Sequence, residues 1–372
     1  MHPKTLGHMI RDIVKDYPAI TAQYIKDAKG TYTSRSYAEL YEEVRRFAAG
    51  LQAIGVKRGD HVGLISENRP EWLVTDLALQ CLGAAVVPRG NDSMAPELAY
   101  ILGLADCGVV AVENATQLIK VASVRSEIPA LKSFIVLDPG FERTELDAAA
   151  TGDARLDLGS PGEVADLSGL EVHSYADIIE AGRGKAESDP GFLDTEIDAG
   201  KPEDLATIIF TSGTTGEPKG VMLTQANFGY ELSCVLDRVD ITPGDIWLCV
   251  LPVWHSFERV IQYIAIISAS GLAYSKPIGT VMLADMAKIR PQWMGSVPRI
   301  WEAIRAGIYR NVKIQGGIKL ALFNFFVTVG GAHERLAQML SGRIADFKKR
   351  IRVLDSIVAF LPWLLLLPLR AL

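Results

Sequence analysis

Apolar positions in the first 140 residues follow two alternating patterns. In residues 37–54 they lie three or four positions apart, which is the spacing of one helix face. Gly55 follows as a C-terminal cap. The short apolar run 61–66 then predicts a strand, and Pro70 begins a second helix, over 70–82. This alternation is typical of a parallel sheet whose strands are joined by crossover helices.

The same rhythm continues through much of the chain. It predicts helices over 96–105 and 225–238, the second capped by Thr224, and strands over 84–88, 108–112, 134–137, 205–210, 246–251, 272–274 and 293–296. The predicted fold class is therefore α/β, with doubly wound parallel sheets and flanking helices.

Residues 141–200 interrupt this rhythm, with 15 acidic against 4 basic residues, a local charge of −11, and one apolar helix turn at 175–179. The C-terminal stretch 288–372 is instead basic, with 14 Lys and Arg against 4 Asp and Glu. We therefore predict four parts: a first α/β subdomain over 1–140, an acidic surface insert over 141–200, a second α/β subdomain over 201–300, and a basic helical segment over 301–372.

Composition narrows the class of protein. A chain of 372 residues, with 49% hydrophobic and 22% charged residues, can fill more than one core, and wholesale disorder is excluded. The four cysteines form no CxxC pair, which argues against a zinc site or a disulfide framework and favours a reducing compartment. No apolar signal core follows Met1, so we expect a cytoplasmic protein. The basic stretch matches no recognisable nucleic-acid-binding module, which does not favour a nucleic-acid partner.

The most informative segment is 211–220, Thr-Ser-Gly-Thr-Thr-Gly-Glu-Pro-Lys-Gly, directly after a predicted strand. Its glycines let backbone N–H groups converge on an anion, its hydroxyls add neutral donors, and its lysine adds one positive charge. The residues predicted to hold nucleotide phosphates are Thr211, Ser212, Gly213, Thr214, Thr215, Gly216 and Lys219. The segment is not a Walker A loop, because Pro218 stands where that motif requires glycine. The alternative is a flexible linker, which rarely lies between two apolar runs.

This loop resembles the signature phosphate loop of the adenylate-forming superfamily, which includes acyl-CoA synthetases, luciferases and peptide-synthetase adenylation domains. Segments 48–51, 59–62, 67–72 and 83–88 are also similar to the N-terminal half of these enzymes. The resemblance implies their large N-terminal α/β domain. Their adenine, ribose and magnesium contacts and a mobile C-terminal domain come later in sequence. The resemblance therefore also implies that this chain is the N-terminal portion of such an enzyme, incomplete at its C-terminus, and that it does not complete acyl-CoA synthesis alone.

Three further segments resemble bacterial long-chain fatty-acid CoA synthetases: Val-Pro-Arg-Gly at 87–90, Trp-His-Ser-Phe-Glu-Arg at 254–259, and Gly-Ser-Val-Pro-Arg at 295–299. The resemblance implies a catalytic role for His255, beside the acyl carboxylate and the nucleotide, and for Lys219. It further implies substrate contacts by Trp254, His255, Glu258 and Arg259. We expect Glu258 and Arg259 to pair with each other and to shape the acyl tunnel. A purely structural salt bridge would explain the two residues equally well.

One position departs from the pattern, because Gln225 stands where many relatives carry histidine. Glutamine donates a hydrogen bond but carries no charge, so the role of this position is left open.

The resemblance implies ATP-dependent conversion of a fatty acid to an acyl-adenylate, followed by thioester formation with CoA. Expected substrates are therefore a fatty acid, ATP and CoA. Mg²⁺ is the expected ion, but the sequence identifies no ligand for it. The missing C-terminal portion or a homodimer partner is a further expected partner. Two alternatives stay open: a non-catalytic nucleotide- or acyl-binding remnant, and an adenylating ligase for another carboxylic acid.

Two uncharged stretches of 13 residues, 320–332 and 357–369, flank a basic segment at 335–352. Each is shorter than the ~20 residues that span a bilayer. Apolar residues beside positive charge suit an anionic lipid surface, so one interpretation is peripheral binding at the inner membrane face. The other is that both stretches are buried core helices.

Overall fold

The protein, as a computed structural model, is described over residues 3–27, 29–142, 167, 169–211 and 217–341. Its contacts divide it into two units, residues 1–296 and residues 297–372. This division lies close to the boundary predicted between 300 and 301. The four-part division as a whole stays a prediction.

Within those ranges, the first unit has two sheets. Their strands are β1 (Thr21–Lys26), β2 (Tyr32–Ser36), β3 (His61–Ile65), β4 (Ala85–Arg89), β5 (Val109–Val112), β6 (Ser133–Val136), β7 (Glu171–Ser174), β8 (Leu205–Thr211), β9 (Lys219–Thr224), β10 (Ile246–Cys249) and β11 (Gly271–Tyr274). The large sheet has the order β7-β6-β5-β3-β4-β8-β9, and the small sheet has the order β10-β11-β1-β2. Neighbouring strands are parallel except in the pairs β1–β2 and β8–β9.

Helices connect these strands and cover the large sheet. In the first unit they are α1 (Leu6–Asp16), α2 (Tyr37–Ala53), α3 (Pro70–Leu82), α4 (Ala95–Leu104), α5 (Ala115–Ala122), α6 (Tyr175–Ser188), α7 (Phe192–Ala199), α8 (Gln225–Leu236), α9 (Ser256–Ile267) and α10 (Gly279–Ile289). The second unit has α11 (Pro298–Gln315) and α12 (Gly317–Ser341). The helices predicted over 37–54 and 70–82 are thus present, and Thr224 caps α8 as predicted.

The large sheet has a hydrophobic core on each face. Val86 belongs to one core and the next residue, Val87, to the other. Ala111 likewise faces away from Val110 and Val112, because successive side chains of a strand point to opposite faces. Both faces of a mostly parallel sheet are therefore covered by helices, which confirms the predicted doubly wound α/β class.

The strand predicted over 293–296 is wrong. In the described residues this segment makes a single bridge, from Trp293 to Trp247, and the two indole rings stack with centroids 5.4 Å apart. Gly295 and Pro298 follow closely, and both residue types disfavour a continuing strand.

Residues 171–199 are packed into the first unit, unlike the surface insert predicted over 141–200. Strand β7 extends the large sheet, and α6 packs directly on α2. A Cβ atom on Gly182 would lie 1.9 Å from the carbonyl oxygen of Arg46, and one on Gly50 equally close to that of Ile178. The two backbones can touch only because neither glycine has a side chain. Residues 143–166, in the same predicted insert, lie outside the described residues.

A buried ion pair joins α3 to α9. The Arg259 guanidinium contacts the Asp76 carboxylate, and neither side chain is exposed. The Tyr263 hydroxyl donates to Asp76 Oδ2 at 2.6 Å and accepts from Arg259 Nε at 2.8 Å. The expected Glu258–Arg259 pair is therefore wrong. Consecutive helix residues point about 100° apart, and Arg259 is turned towards α3 instead.

The position left open at Gln225 belongs to the same buried region. Gln225 is 2% exposed, and its Nε2 donates to Gln80 Oε1 at 2.7 Å. Its Oε1 accepts from the backbone N–H of Leu6 at 2.9 Å. Gln80 in turn donates to Asp76 at 3.2 Å. Gln225 thus ties the start of α8 to α1 and α3, and it does not face solvent.

Glu258 is buried in the first turn of α9, with 1% of its surface exposed. Gln262 Nε2 donates to its Oε1 at 3.3 Å, while Oε2 has no hydrogen-bond partner in the part of the chain that is described. Burial raises the pKa of the Glu258 carboxyl to about 8. The group is therefore protonated near neutral pH.

The second unit, by itself, is a pair of helices with basic and apolar surfaces. The rings of Tyr309 on α11 and Phe323 on α12 meet edge to face, 5.1 Å apart. Several apolar side chains are exposed, among them Trp301, Ile308, Ile314, Ile318, Leu322 and Phe325. Of the helices that the structure describes, none combines the length and apolar character needed to cross a bilayer.

Replacing Asp76 with Asn should destabilise the fold strongly, because Arg259 would keep its charge in the core without a counterion. Breaking a buried pair in this way costs about 3–5 kcal/mol. Urea unfolding followed by circular dichroism measures the loss. Asp198→Asn is the matched control, because its pair with Arg11 lies at the surface and should leave the midpoint unchanged. A loss for Asp76→Asn no larger than that of the control would contradict the role of the pair.

Glu258 should make the protein less stable as pH rises. Its folded-state pKa is above the value in an unfolded chain, so its contribution is fully present in acid and is lost as pH rises towards about 8. The slope is at most ~1.4 kcal/mol per pH unit. Glu258→Gln should remove this slope in urea titrations across the range, whereas Glu203→Gln, at an exposed position, should keep it. Parallel pH curves for wild type and Glu258→Gln would show that the carboxyl is ionised when folded.

Candidate functional site

The predicted phosphate loop closes a β-hairpin at the edge of the large sheet. Strands β8 and β9 are antiparallel, and Thr211 is paired with Lys219 across the hairpin. β9 is the outer strand, and Val221 and Met222 on it are 43% and 65% exposed. The apolar run after the loop is therefore an exposed edge and not a second buried strand.

Two of the predicted phosphate-binding residues are described. Thr211 is exposed at the end of β8 and Lys219 at the start of β9, so both are accessible to a ligand held in the loop. The other five, Ser212, Gly213, Thr214, Thr215 and Gly216, lie outside the described residues. Their roles stay predictions.

His255 lies in the loop between β10 and α9, where it is the N-cap of α9. The N–H of Phe257 donates to His255 Nδ1 at 3.3 Å, and the N–H of His255 donates to the Pro252 carbonyl at 3.0 Å. With Nδ1 accepting, the neutral ring carries its proton on Nε2. The exposed imidazole therefore presents a donor at a helix N-terminus, where the helix dipole favours an anion.

Trp254 packs onto the end of β4. The Arg89 guanidinium lies over the Trp254 ring, 5.4 Å from its centroid. A Cβ atom on Gly90 would lie 2.4 Å from Trp254 Nε1, so the indole rests directly on the backbone there. The Trp254 indole N–H is buried and has no acceptor among the described residues.

Two residues that the sequence analysis did not single out hold this loop in place. Asn68 Nδ2 donates to the Leu251 carbonyl at 2.8 Å, and Asn68 Oδ1 accepts from the N–H of Val253 at 2.9 Å. The Arg89 guanidinium contacts the Trp254 ring of the loop, and its Nη1 donates to the Phe210 carbonyl on β8 at 3.3 Å. Asn68 lies within segment 67–72 and Arg89 within segment 87–90. The family resemblance of these two segments was the sequence signal that could have identified both residues.

Carboxylates follow β3 and β5 at the same edge of the sheet. The N–H of Glu67 donates to Glu113 Oε2 at 2.8 Å, and the Ser66 hydroxyl donates to the same oxygen at 3.1 Å. Burial, with Glu113 and Asp92 nearby, raises the pKa of the Glu67 carboxyl. Among the described residues, no group of three or more His, Cys, Asp or Glu side chains could hold a metal ion. They therefore supply no magnesium site on their own.

An open apolar groove of about 570 Å³ lies between α8 and α9. It begins next to His255, because Ser256 and Phe257 are part of its wall. Its other lining residues are Leu223, Asn227, Phe228, Tyr230, Glu231, Val235, Val260, Ile261 and Ile264. Glu258 and Arg259 do not line the groove but are buried behind it.

Several curated proteins with similar sequences are named as long-chain acyl-CoA synthetases or as long-chain fatty-acid ligases. The chain is 30% identical over 319 residues to long chain acyl-CoA synthetase 6, peroxisomal, of Arabidopsis thaliana, covering 85% of the chain and 42% of that protein. It is 28% identical over 335 residues to the chloroplastic long-chain-fatty-acid–[acyl-carrier-protein] ligase AEE15 of the same plant, covering 88% and 42%. It is 29% identical over 277 residues to the long-chain-fatty-acid–CoA ligase FadD15 of Mycobacterium tuberculosis, covering 74% and 40%. The chain thus spans about two fifths of the length of these relatives.

Solved structures share the fold. The N-terminal domain of FACL13 from Mycobacterium tuberculosis aligns with a TM-score of 0.59 and 24% identity, over 81% of this chain and 65% of that one. The A-PCP didomain of carboxylic acid reductase from Segniliparus rugosus aligns with a TM-score of 0.65 and 21% identity, over 84% and 45%. At these identities the likeness shows the fold alone.

The β8–β9 hairpin, the loop that carries His255 and most of the fold described above lie within one family match. The AMP-binding enzyme family matches residues 11–342 of the 372-residue chain. The chain therefore belongs to the family of AMP-binding enzymes.

Proposed function

We propose that this chain supplies the phosphate- and acyl-binding parts of an AMP-forming ligase for long-chain fatty acids. One observation carries the proposal. The β8–β9 hairpin, which carries the predicted phosphate loop and is called the phosphate hairpin below, lies at one edge of the large sheet. Arg89 contacts both this hairpin and the loop of Trp254 and His255, next to an apolar groove. The relatives named as long-chain acyl-CoA synthetases support the substrate class.

In the first half-reaction, a fatty carboxylate oxygen attacks the α-phosphorus of ATP. The bond from the α-phosphorus to the bridging oxygen breaks, which yields acyl-adenylate and pyrophosphate. Lys219 neutralises charge on the departing pyrophosphate, and Thr211 with the residues Ser212 to Gly216 holds its oxygens. His255 donates from Nε2 to the carboxylate or to the nucleotide phosphate and so aligns the two.

In the second half-reaction, the CoA thiolate attacks the acyl carbonyl carbon. The thioester bond forms as the bond to the AMP oxygen breaks, and AMP leaves with the electron pair. The acceptor could equally be an acyl-carrier-protein thiol, since AEE15 is named for that partner. Both acceptors present the same nucleophile, a thiolate.

The groove between α8 and α9 takes the acyl chain. Its apolar wall suits a hydrocarbon, and its start beside His255 lets the carboxylate reach the phosphate hairpin. Trp254 contributes to the mouth of this site. Glu258 and Arg259 act from behind the wall by holding α9, because both are buried. An adenylating ligase for a small polar acid is less well supported by such a wall.

Mg²⁺ is expected to accompany the ATP phosphates and to neutralise their charge. No step is assigned to it, because the described residues offer no cluster that fits the ion. The proposed protein partner is a further polypeptide portion or a second copy of the chain.

We propose separately that the protein, otherwise cytoplasmic, binds peripherally to an anionic membrane. The exposed apolar side chains of α11 and α12 accompany six Lys and Arg against two Asp and Glu over residues 297–341. A fatty acid could be drawn from such a surface.

Lys219→Ala should weaken ATP binding by the 372-residue chain, because the loop loses its one positive charge. Loss of a charge-assisted phosphate contact is worth about tenfold in affinity or more. Calorimetric titration with Mg-ATP measures this affinity, with Lys201→Ala as the matched control at an exposed lysine outside the hairpin.

Exchange of labelled pyrophosphate into ATP, run with palmitate, benzoate and an amino acid, separates the fatty-acid ligase from the two alternative functions. Palmitate-dependent exchange supports the ligase, and ATP binding without exchange supports the non-catalytic remnant.

The chain should float with liposomes rich in phosphatidylglycerol at low salt and dissociate at high salt, because the attraction is screened. Replacing the exposed Lys313 and Lys319 together with Glu should abolish flotation. Liposomes of phosphatidylcholine alone are the control. Failure to bind anionic liposomes at low salt would remove the membrane proposal without touching the ligase proposal.

A further inference from the structure

The α9 side of the apolar groove is a single helix face. The α9 residues that line it are one or three positions apart: Ser256, Phe257, Val260, Ile261 and Ile264. Ile261 comes five residues after Ser256, which places it ~7.5 Å further along the helix axis. An extended hydrocarbon advances ~1.25 Å per carbon, because its bonds are about 1.5 Å long. An acyl chain that starts at His255 therefore passes Ile261 at about its sixth carbon.

Gly295 packs against Ile261 but does not line the groove. A Cβ atom on Gly295 would lie 2.0 Å from Ile261 Cδ1 and 3.1 Å from Ile261 Cγ1, whereas unbonded carbons meet at ~3.5–4.0 Å. The φ angle of Gly295 is not positive, so its backbone conformation does not itself call for glycine. Glycine is therefore needed at this position for space. The side chain of Ile261, which is 6% exposed, uses that space.

The segment that carries Gly295 is fixed to the small sheet. The N–H of Leu248 on β10 donates to the Trp293 carbonyl at 2.9 Å. The Trp293 indole N–H donates to Asp245 Oδ2 at 2.7 Å. Ile261 Cδ1, by contrast, is the free end of a side chain and moves by rotation about χ2. A side chain at position 295 would therefore displace Ile261 rather than the segment, and the open groove is the space that receives it.

We infer that Gly295 is a specificity-determining residue for the length of the acyl chain. Because it has no side chain, Ile261 is withdrawn from the groove, which then admits chains beyond about the sixth carbon. A larger residue at position 295 would push Ile261 into the groove and restrict the site to shorter acids. The inference rests on the proposed binding of the acyl chain between α8 and α9.

Equilibrium dialysis of the 372-residue chain with radiolabelled hexanoate, decanoate and palmitate tests the inference. In wild type, affinity should rise by up to about fourfold for each methylene that the groove buries. Gly295→Ala should bind hexanoate as wild type does. It should bind decanoate and palmitate at least ~tenfold more weakly, because the methylenes beyond the sixth carbon lose their contact with the wall.

Ile261→Val supplies the reciprocal test, because valine lacks the Cδ1 atom that would meet the added Cβ. The double variant Gly295→Ala, Ile261→Val should recover most of the palmitate binding. Gly279→Ala is the matched control, because a Cβ atom there would meet nothing within 4 Å and its φ is not positive either. If Gly295→Ala does not fold, the comparison moves to the Ile261→Val background. There Gly295→Leu should refill the space and weaken palmitate binding, whereas Gly295→Ala should not.

Val260→Asp separates the inference from the proposed function, because it places a charge in the groove wall itself. Palmitate binding that Val260→Asp leaves unchanged would defeat the proposed acyl site. Palmitate binding that is lost in Val260→Asp but unchanged in Gly295→Ala would overturn the role of Gly295 alone. An equal loss of hexanoate and palmitate binding in Gly295→Ala would also overturn it, because a general disturbance of α9 does not discriminate by chain length.

Discussion

Strand β8 pairs in parallel with β4, and the arrangement of the site depends on this pairing. Val86 lies opposite Thr207, and the buried Thr207 hydroxyl donates to the Val86 carbonyl at 2.6 Å. The two residues are 121 positions apart in the chain. Their pairing joins the five strands β3 to β7 and the hairpin of β8 and β9 into one sheet. The carboxyl ends of β3, β4 and β8 therefore meet at one edge. The β3–β4 and β4–β8 pairings together bring Asn68, Arg89 and the β8–β9 hairpin to this edge. An edge of this kind is where α/β folds bind ligands.

The second constraint is the buried attachment of α9. Arg259 and Asp76 are both removed from water, and desolvating two charges is expensive unless their geometry and remaining hydrogen bonds are good. Tyr263 supplies such bonds to both partners. The rings of Trp72, Phe228 and Tyr263 also lie within 6 Å of the guanidinium, which favours a cation there. Because His255 caps the same helix, an interaction in the core determines where an exposed imidazole stands.

Local sequence patterns predicted most helices and strands, but they predicted the wrong contacts for several side chains. The helix over 70–82 follows from Pro70 at its start and Gly83 in the left-handed conformation at its end, and both signals are local. An ion pair between Glu258 and Arg259 was predicted because their opposite charges are adjacent in sequence. The structure gives Arg259 a partner 183 residues away and leaves Glu258 buried and protonated near neutral pH. The acidic stretch 141–200 was predicted to be a surface insert. Helix α6, which lies within it, packs against α2 because Gly50 and Gly182 allow close contact.

The sequence by itself determined the α/β class and the strand–helix alternation, and it led to the prediction that the loop from Thr211 to Lys219 binds phosphates. These depend on residue spacing and residue type within a few turns of chain, and the family resemblance rests on the same short segments. Only the tertiary structure decided that Arg89 joins Phe210 to Trp254, that Asn68 holds the His255 loop, and that Gln225 faces the core. Each of these contacts joins positions more than 100 residues apart. Such contacts depend on strand register and on which faces are buried together, and neither is encoded in any one segment of the chain.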